Sequence, residues 1–454
     1  MTEIQSDVSV GDRLDRLPLS KFHTKFTLLV TGGEFILTFL LIGVGGLLTI
    51  VSKVFNLSTD VATYVMPTSF YAGMFIGTIG FGRMADLYGR RIIYFFNLLI
   101  FAIGAIIAGL MSNYILIAAF MFIAGTGVGA EIPLGDTYIS EIMTKENRGR
   151  KLAIVYTIAI LSAPIGAFAL LELSNWNLGY SWRIFLISLG IGALAFQIVR
   201  WRMKESPRWL ESQGRREEAN KIVDDIETEV KKEKGLSVLP DVKTHTKILE
   251  EKPNWVDLFE RKIRRNTIMV MVFQYAQSGV FFGFTALVPT ILVDKGYSIA
   301  STFFFTMIIY FGFVVGSIVN TYYIDKVERK YGVVIFILLA GIFGIIFGLS
   351  TTSTELVVFG FLVSFFLWNM SNFFHQYQAE IFPTKLRGSG TGLGQAINAL
   401  ASASVPTLII VYVLSHGTFI VFLTLMILVL IVIVDIMVFG PKTSRKELEN
   451  IINI

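Results

Sequence analysis

Five ionisable side chains inside long apolar runs of this sequence are candidates for function: Glu34, Glu131, Asp136, His375 and Asp435. A charge at such depth is costly, and groups kept there bind, carry or neutralise charge. Glu34 follows Gly32 and Gly33 in an otherwise apolar stretch, and Glu131 sits in Gly129-Ala130-Glu131-Ile132-Pro133. Both are candidates to take up and release a proton, because burial and neighbouring charge tune a carboxyl for that task. The plainer reading of Glu34 is a carboxylate near a helix end that faces water or caps a neighbour. Asp136 divides between a functional role and inner-side structure. Asp435 reads as structural, at the inner end of the last run.

A second set is polar without being acidic. Helical spacing puts Trp368, Asn372 and His375 on one face, and Gln274 and Gln277, three apart, on another. With Tyr156 and Asn398 they suit a hydroxylated ligand. The same residue types also serve as hydrogen bonds between packed helices, and that alternative stays open. Cysteine is absent and the four histidines are scattered, so disulfides and thiolate metal sites are excluded and no metal site is expected. Gly125, Gly127 and Gly129 do not form a phosphate loop, because no Lys-Ser/Thr follows them. They read as close packing of one helix on a neighbour. No catalytic constellation is present, so neither an enzyme nor a cofactor is expected.

The elements that must hold these residues follow from composition. Of 454 residues, 54% are hydrophobic and only 16% charged, against about 25% charged in soluble domains. Apolar runs fall near 25–50, 61–81, 92–111, 114–138, 152–173 and 181–201, then near 266–293, 300–323, 331–350, 354–378, 388–413 and 417–440. Each approaches the roughly 20 residues that cross a bilayer. The expectation is an all-α protein with twelve transmembrane helices. Segment 1–24 is a polar N-terminus without a cleaved-signal layout, 25–201 the first six-helix bundle, and 202–265 a charge-rich linker with short helices. Segment 266–440 is the second bundle, and 441–454 a tail. Basic residues cluster in alternate loops: Arg83, Arg90 and Arg91; Lys145, Arg148, Arg150 and Lys151; Lys326, Arg329 and Lys330; Lys385 and Arg387. The other loops offer only Lys53, Arg183 and Lys295. Positive charge stays inside, which puts both termini in the cytoplasm. The net charge of +5 records those loops, and no nucleic-acid partner is inferred from it.

The two bundles are copies. Asp86-Leu87-Tyr88-Gly89-Arg90-Arg91 returns as Asp325-Lys326-Val327-Glu328-Arg329-Lys330, and Tyr138-x-x-Glu141 with Arg148-Gly149 returns as Tyr377-x-x-Glu380 with Arg387-Gly388. Asp86 and Asp325, Glu141 and Glu380, and Arg148 and Arg387 all stand 239 residues apart. Duplicated halves in a membrane protein point to alternating access around a midplane site.

These motifs resemble the major facilitator superfamily, and within it the sugar-porter and metabolite:proton symporter branch. Gly82-x-x-x-Asp86-x-x-Gly89-Arg90-Arg91 is similar to the superfamily hallmark after helix 2. Glu205-Ser206-Pro207-Arg208 looks like the sugar porters' Pro-Glu-Ser-Pro-Arg, with Lys204 in place of the first proline. Trp182-Arg183 and Tyr377-x-x-Glu380-Ile381-Phe382-Pro383-Thr384-x-x-Arg387-Gly388 fit as well, and the tail around Pro441 is a fainter echo. The resemblance covers nearly the whole chain and implies two pseudo-symmetric six-helix bundles. It also implies a conformational gate of Asp86, Arg90, Arg91, Glu141, Arg148, Glu205, Arg208, Asp325, Arg329, Glu380 and Arg387, with Glu141 and Glu380 pairing with arginines across the halves.

The centre departs from that pattern. Sugar porters carry paired glutamines and an Ile-Asn in helix 7, whereas this chain has Gln274-Tyr275-Ala276-Gln277-Ser278-Gly279. Tyr156, Thr157 and Ser162 stand where helix 5 usually offers a glutamine, with Pro164 and Gly166 predicting a kink. Met121 occupies the place of the helix 4 arginine of proton-linked porters, and Glu34 stands in for their helix 1 aspartate without an arginine partner. The expected function is a proton-coupled secondary transporter in the cell membrane, working as a monomer. Its solute is a small polar metabolite: a monosaccharide, sugar acid or other organic acid. An uncoupled sugar facilitator is the alternative, and a transporter-like sensor ranks below both.

Overall fold

A computed structural model describes residues 9–144, 147–242, 255–324, 326–382 and 386–443. Among these every regular element is helical. Eleven helices are long and apolar enough to cross a membrane: Lys21–Val54, Arg90–Leu110, Tyr114–Ile142, Arg148–Trp176, Leu178–Arg200, Arg264–Asp294, Ile299–Asn320, Arg329–Leu349, Ser353–Gln378, Ser389–His416 and Thr418–Phe439. The remaining apolar run, second in the chain, is helical too and is counted with them below. It runs through Thr59–Thr63, a π turn at Tyr64–Thr68 and Ser69–Tyr88. Its apolar stretch is divided at Pro67 and ends in Arg83 and Asp86, which lowers its mean hydropathy. The spans are numbered first to twelfth in chain order below.

Proline sets the breaks. Pro67 lies inside the π turn of the second span. The fifth span is split at Leu161 into Arg148–Ile160 and Ser162–Trp176. Pro164 cannot donate to the carbonyl of Ile160, and its ring presses on that turn. Glycine sets the closest approaches. A side chain on Gly125 or Gly129 would strike the backbone of the second span at Phe70 or Met74, and one on Gly127 would strike the third span at Asn97 and Phe101. Spacing of two therefore seats the fourth span on two neighbours at once, where one had been expected.

The bundles meet along matching helices. At the end away from the basic loops, Gly45 of the first span lies against the seventh, and a Cβ there would come within 2.7 Å of Ala286 Cα. Tyr71 stacks edge-on against Phe282 at 5.2 Å, and Thr68 and Thr407 hydroxyls lie 2.6 Å apart. That end is closed. Thr157 and Ser317 join the fifth and eighth spans at 2.9 Å.

Beyond the basic end, Val10–Asp15, Pro207–Ser212 and Arg216–Lys234 fold together. Val10, Leu14 and Leu17 pack with Trp209, Leu210, Val223 and Ile226. Arg13 donates to Glu227 at 2.9 and 3.1 Å and to Asp224 at 2.5 Å, and Arg16 donates to Glu227 at 2.8 Å. Burial works against ionising Glu227, but the hydrogen bonds from Arg13 and Arg16 hold its carboxyl below the ordinary range. Within the charge-rich linker, Pro207–Ser212 and Arg216–Lys234 are thus helical, and they hold the N-terminal segment from Val10 onward.

Gly45→Val puts side-chain atoms where the Ala286 backbone now lies. The expected result is loss of transport with folded protein retained. The native chain has no cysteine, so a single cysteine at Thr285 reports closure cleanly. Its labelling by an impermeant maleimide should rise at least several-fold in the valine variant, and unchanged labelling would refute closure at this contact.

Candidate functional site

The first and fourth spans bring three acids together. Glu34, Glu131 and Arg200 are each 3% exposed or less. Arg200, the last residue of the sixth span, pairs with Glu131 through both terminal guanidinium nitrogens and donates to the Tyr94 carbonyl at 3.2 Å. Asn97 Nδ2 donates to Glu131 at 2.7 Å, and the Arg200 guanidinium lies over the Tyr94 ring at 3.8 Å. Gly33 makes this possible, because any Cβ there would overlap Arg200 and Glu131. The charges of Asp136, Glu131 and Arg200 all act on Glu34, and Glu34 Oε1 has no hydrogen-bond partner. Asp136 accepts from Tyr156 Oη at 2.5 Å.

Glu34 and Tyr156 also line a cavity of about 120 Å³ between the bundles. From the second bundle Gln274, Gln277, Trp368, His375 and Asn398 face it. Their amides form one chain. Gln277 Nε2 donates to Gln274 Oε1 at 2.8 Å, Gln274 Nε2 to Gln378 Oε1 at 2.9 Å, and Asn398 Nδ2 to Gln274 Oε1 at 3.3 Å. Tyr156 stacks on His375 with centroids 5.3 Å apart, bridging the two bundles. Trp368 packs on Phe281 and Phe313, and its buried Nε1 lacks a partner. Among the lining residues the only basic side chain is His375.

At the basic end each bundle carries its own clamp. Arg90 pairs with Asp86 at 2.5 Å and Glu141 at 3.3 Å, and Arg329 pairs with Glu380 at 3.5 Å. Tyr138 Oη donates to the Lys204 carbonyl and Tyr377 Oη to the Pro441 carbonyl, both at 2.8 Å. Glu205 accepts the backbone N–H groups of Arg90, Arg91 and Ser206 at 2.8–3.2 Å. Burial pushes its carboxyl above the ordinary range, against the pull of those donors. Gly89 has φ 106°, and a Cβ there would meet the Glu205 carboxylate, so two separate constraints require glycine. Arg208 donates to the Glu141 carbonyl at 2.9 Å and pairs with Asp15 at 3.1 Å. Arg148 opens the fifth span.

The sugar (and other) transporter profile matches residues 17–454. The chain belongs to that family. This sugar-and-metabolite transporter of the major facilitator superfamily is a multi-pass membrane protein. It is 28% identical to the inner membrane metabolite transport protein YdjE of Escherichia coli, over 97% of this chain and 98% of that one. It is 25% identical to the niacin transporter NiaP of Acinetobacter baylyi, with the same coverage. Its fold matches the xylose transporter XylE from E. coli in a partially occluded inward-open conformation, with TM-score 0.71 and 20% identity over 94% of this chain and 100% of that one.

In this transporter the structure departs from the sequence reading at several points. The Arg90–Glu141 and Arg329–Glu380 pairs lie within single bundles, because each links helices that fold as neighbours, and do not cross the halves. Asp325 and the Arg387 side chain lie outside the described residues. Asn372 is off the cavity wall, where Ser371 stands instead. At about 100° per residue, 371 and 372 flank the 368–375 face on opposite sides, and the cavity opens on the Ser371 side. Glu131 has an arginine, which comes from the sixth span and not the fourth, and Glu34 makes no ion pair with it, in keeping with the sequence reading. Arg200 lies inside the apolar run at 181–201 and is not among the residues singled out there, although only Gln197 interrupts the apolar residues Phe196, Ile198 and Val199 before it. Gln378, next to a motif tyrosine, gave no signal of its own.

Leaving Glu131 buried without its cation costs about 3–5 kcal/mol. Arg200→Gln should therefore lower thermal stability in detergent by several degrees, and Glu131→Gln with Arg200→Gln should recover most of it. A double variant no more stable than the single one would show that the pair does not hold the first, fourth and sixth spans together.

Proposed function

We propose that this chain is a proton-coupled symporter of a small, uncharged polar metabolite, working by alternating access. One observation carries the coupling. Glu34 is a buried carboxyl on the cavity wall, with one oxygen unpartnered and a fixed ion pair beside it. Such a group gains or loses a proton according to what fills the cavity and which side is open. That XylE is described as a proton:xylose symporter supports the reading.

The lining supports a neutral solute over a sugar acid or other organic acid. A carboxylate ligand calls for a cation, and Arg200 is already committed to Glu131. Amides from Gln274, Gln277 and Asn398 offer donors and acceptors for hydroxyl or amide groups, while Trp368 and the Tyr156–His375 stack offer flat apolar faces. This composition accommodates a sugar, and it also accommodates an aromatic amide. In this scheme both termini are cytoplasmic and one chain suffices. The two clamps, with Asp86, Arg91, Glu205 and Arg208 in the first, keep each bundle's basic end rigid while the bundles rock about the cavity.

Uptake of labelled sugars, amides and organic acids into proteoliposomes, with and without an imposed pH gradient, tests this. Wild type should accumulate an uncharged solute above equilibrium only with the gradient. Glu34→Gln should equilibrate it without accumulating it. Equal, gradient-independent equilibration by both proteins would make the chain a facilitator. Accumulation by Glu34→Gln equal to wild type would remove Glu34 from the coupling.

A further inference from the structure

A second cavity lies apart from the substrate path. It has a volume of about 280 Å³ and opens at the basic end between the third and sixth spans. Arg91, Ile92, Phe96, Arg200, Trp201 and Met203 line it. Ile92, Phe96 and Trp201 are each about half exposed or more, and Ile191, Ile198 and Val199 of the sixth span are exposed on the same helix. In a multi-pass protein an apolar rim of this kind faces acyl chains, so the cavity opens sideways into the inner leaflet.

Its charge is one-sided. Arg91 is exposed and donates one Nη2 hydrogen bond to the Trp201 carbonyl at 3.0 Å. Arg202 adds an exposed positive charge nearby. Of the neighbouring acids, Glu205 is already occupied by three backbone N–H groups and Glu131 by Arg200. At the deep end Arg200 is 3% exposed, and its Nε has no hydrogen-bond partner. No acidic side chain lines the cavity. Basic pockets between membrane helices on the inner side suit anionic headgroups.

We infer that this cleft binds an anionic phospholipid, with its phosphate at Arg91 and its first acyl carbons along Ile92, Phe96 and Trp201. A bound lipid would complete the wall behind Arg200 and so exclude water from the Glu131–Arg200 pair. The inference does not depend on which solute is carried, and its test reads lipid, not transport.

The test is native mass spectrometry of the purified full chain titrated with phosphatidylglycerol or phosphatidylcholine, together with quenching of Trp201 by brominated phosphatidylglycerol. Wild type should favour phosphatidylglycerol about fivefold, the contribution of one basic residue near an anionic surface. Arg91→Gln should abolish the preference, Arg91→Lys should restore most of it, and Arg202→Gln should leave it intact. Quenching should fall in Trp201→Phe. Three results would each overturn the site: equal retention of the two lipids, equal losses in Arg91→Gln and Arg202→Gln, or displacement of the lipid by inorganic phosphate.

Discussion

The buried pair of Glu131 and Arg200 constrains everything around it. Arg200 is paired with Glu131, and two further carboxyls, Glu34 and Asp136, stand on the same first and fourth spans. Fully ionised, these four groups would carry two more negative charges than positive ones, and on the proposed symport reading this is where protons are exchanged. Arg200 fixes one carboxylate in place, and Tyr156 hydrogen-bonds the second. Glu34 lines the cavity, and its Oε1, buried against Gly135, has no hydrogen-bond partner.

Around that centre the two bundles play unequal parts. The first supplies the acids and the guanidinium. The second supplies carboxamides, tied to one another through Gln274. Contact between the two chemistries runs through the Tyr156–His375 stack. Tyr156 is hydrogen-bonded to Asp136 and stacked on His375, so on the proposed reading this one residue would link solute binding to the acids. The arginine–glutamate pairs at the basic end recur in both bundles by contrast, Arg90 with Glu141 and Arg329 with Glu380.

The periphery was far more legible in the sequence than the centre. Asp86, Glu141 and Arg90 recur at a fixed offset because duplicated folds need the same loop geometry twice, and Gly89 is required by both backbone φ and the Glu205 carboxylate. Those constraints act over a few residues and leave motifs. Glu34, Tyr156, Gln274 and His375 were singled out through their polarity in apolar runs, which marks candidates but does not say whom they meet. Partners such as Arg200 and Gln378 lie far away in sequence and join the site only through helix packing. The arginine was hidden by its position, since a basic residue at the inner end of a span is what topology alone demands. Asn372 and Ser371 differ by one residue, and only the packed bundle decides which of them faces the cavity.

The central claim is that Glu34 changes its protonation when solute enters. Infrared difference spectroscopy of the reconstituted protein, with and without its transported solute, measures this directly through the carboxyl C=O stretch. The account predicts a solute-induced carboxyl band in wild type that is absent from Glu34→Gln and kept in Asp435→Asn. A band of undiminished size in Glu34→Gln would contradict it.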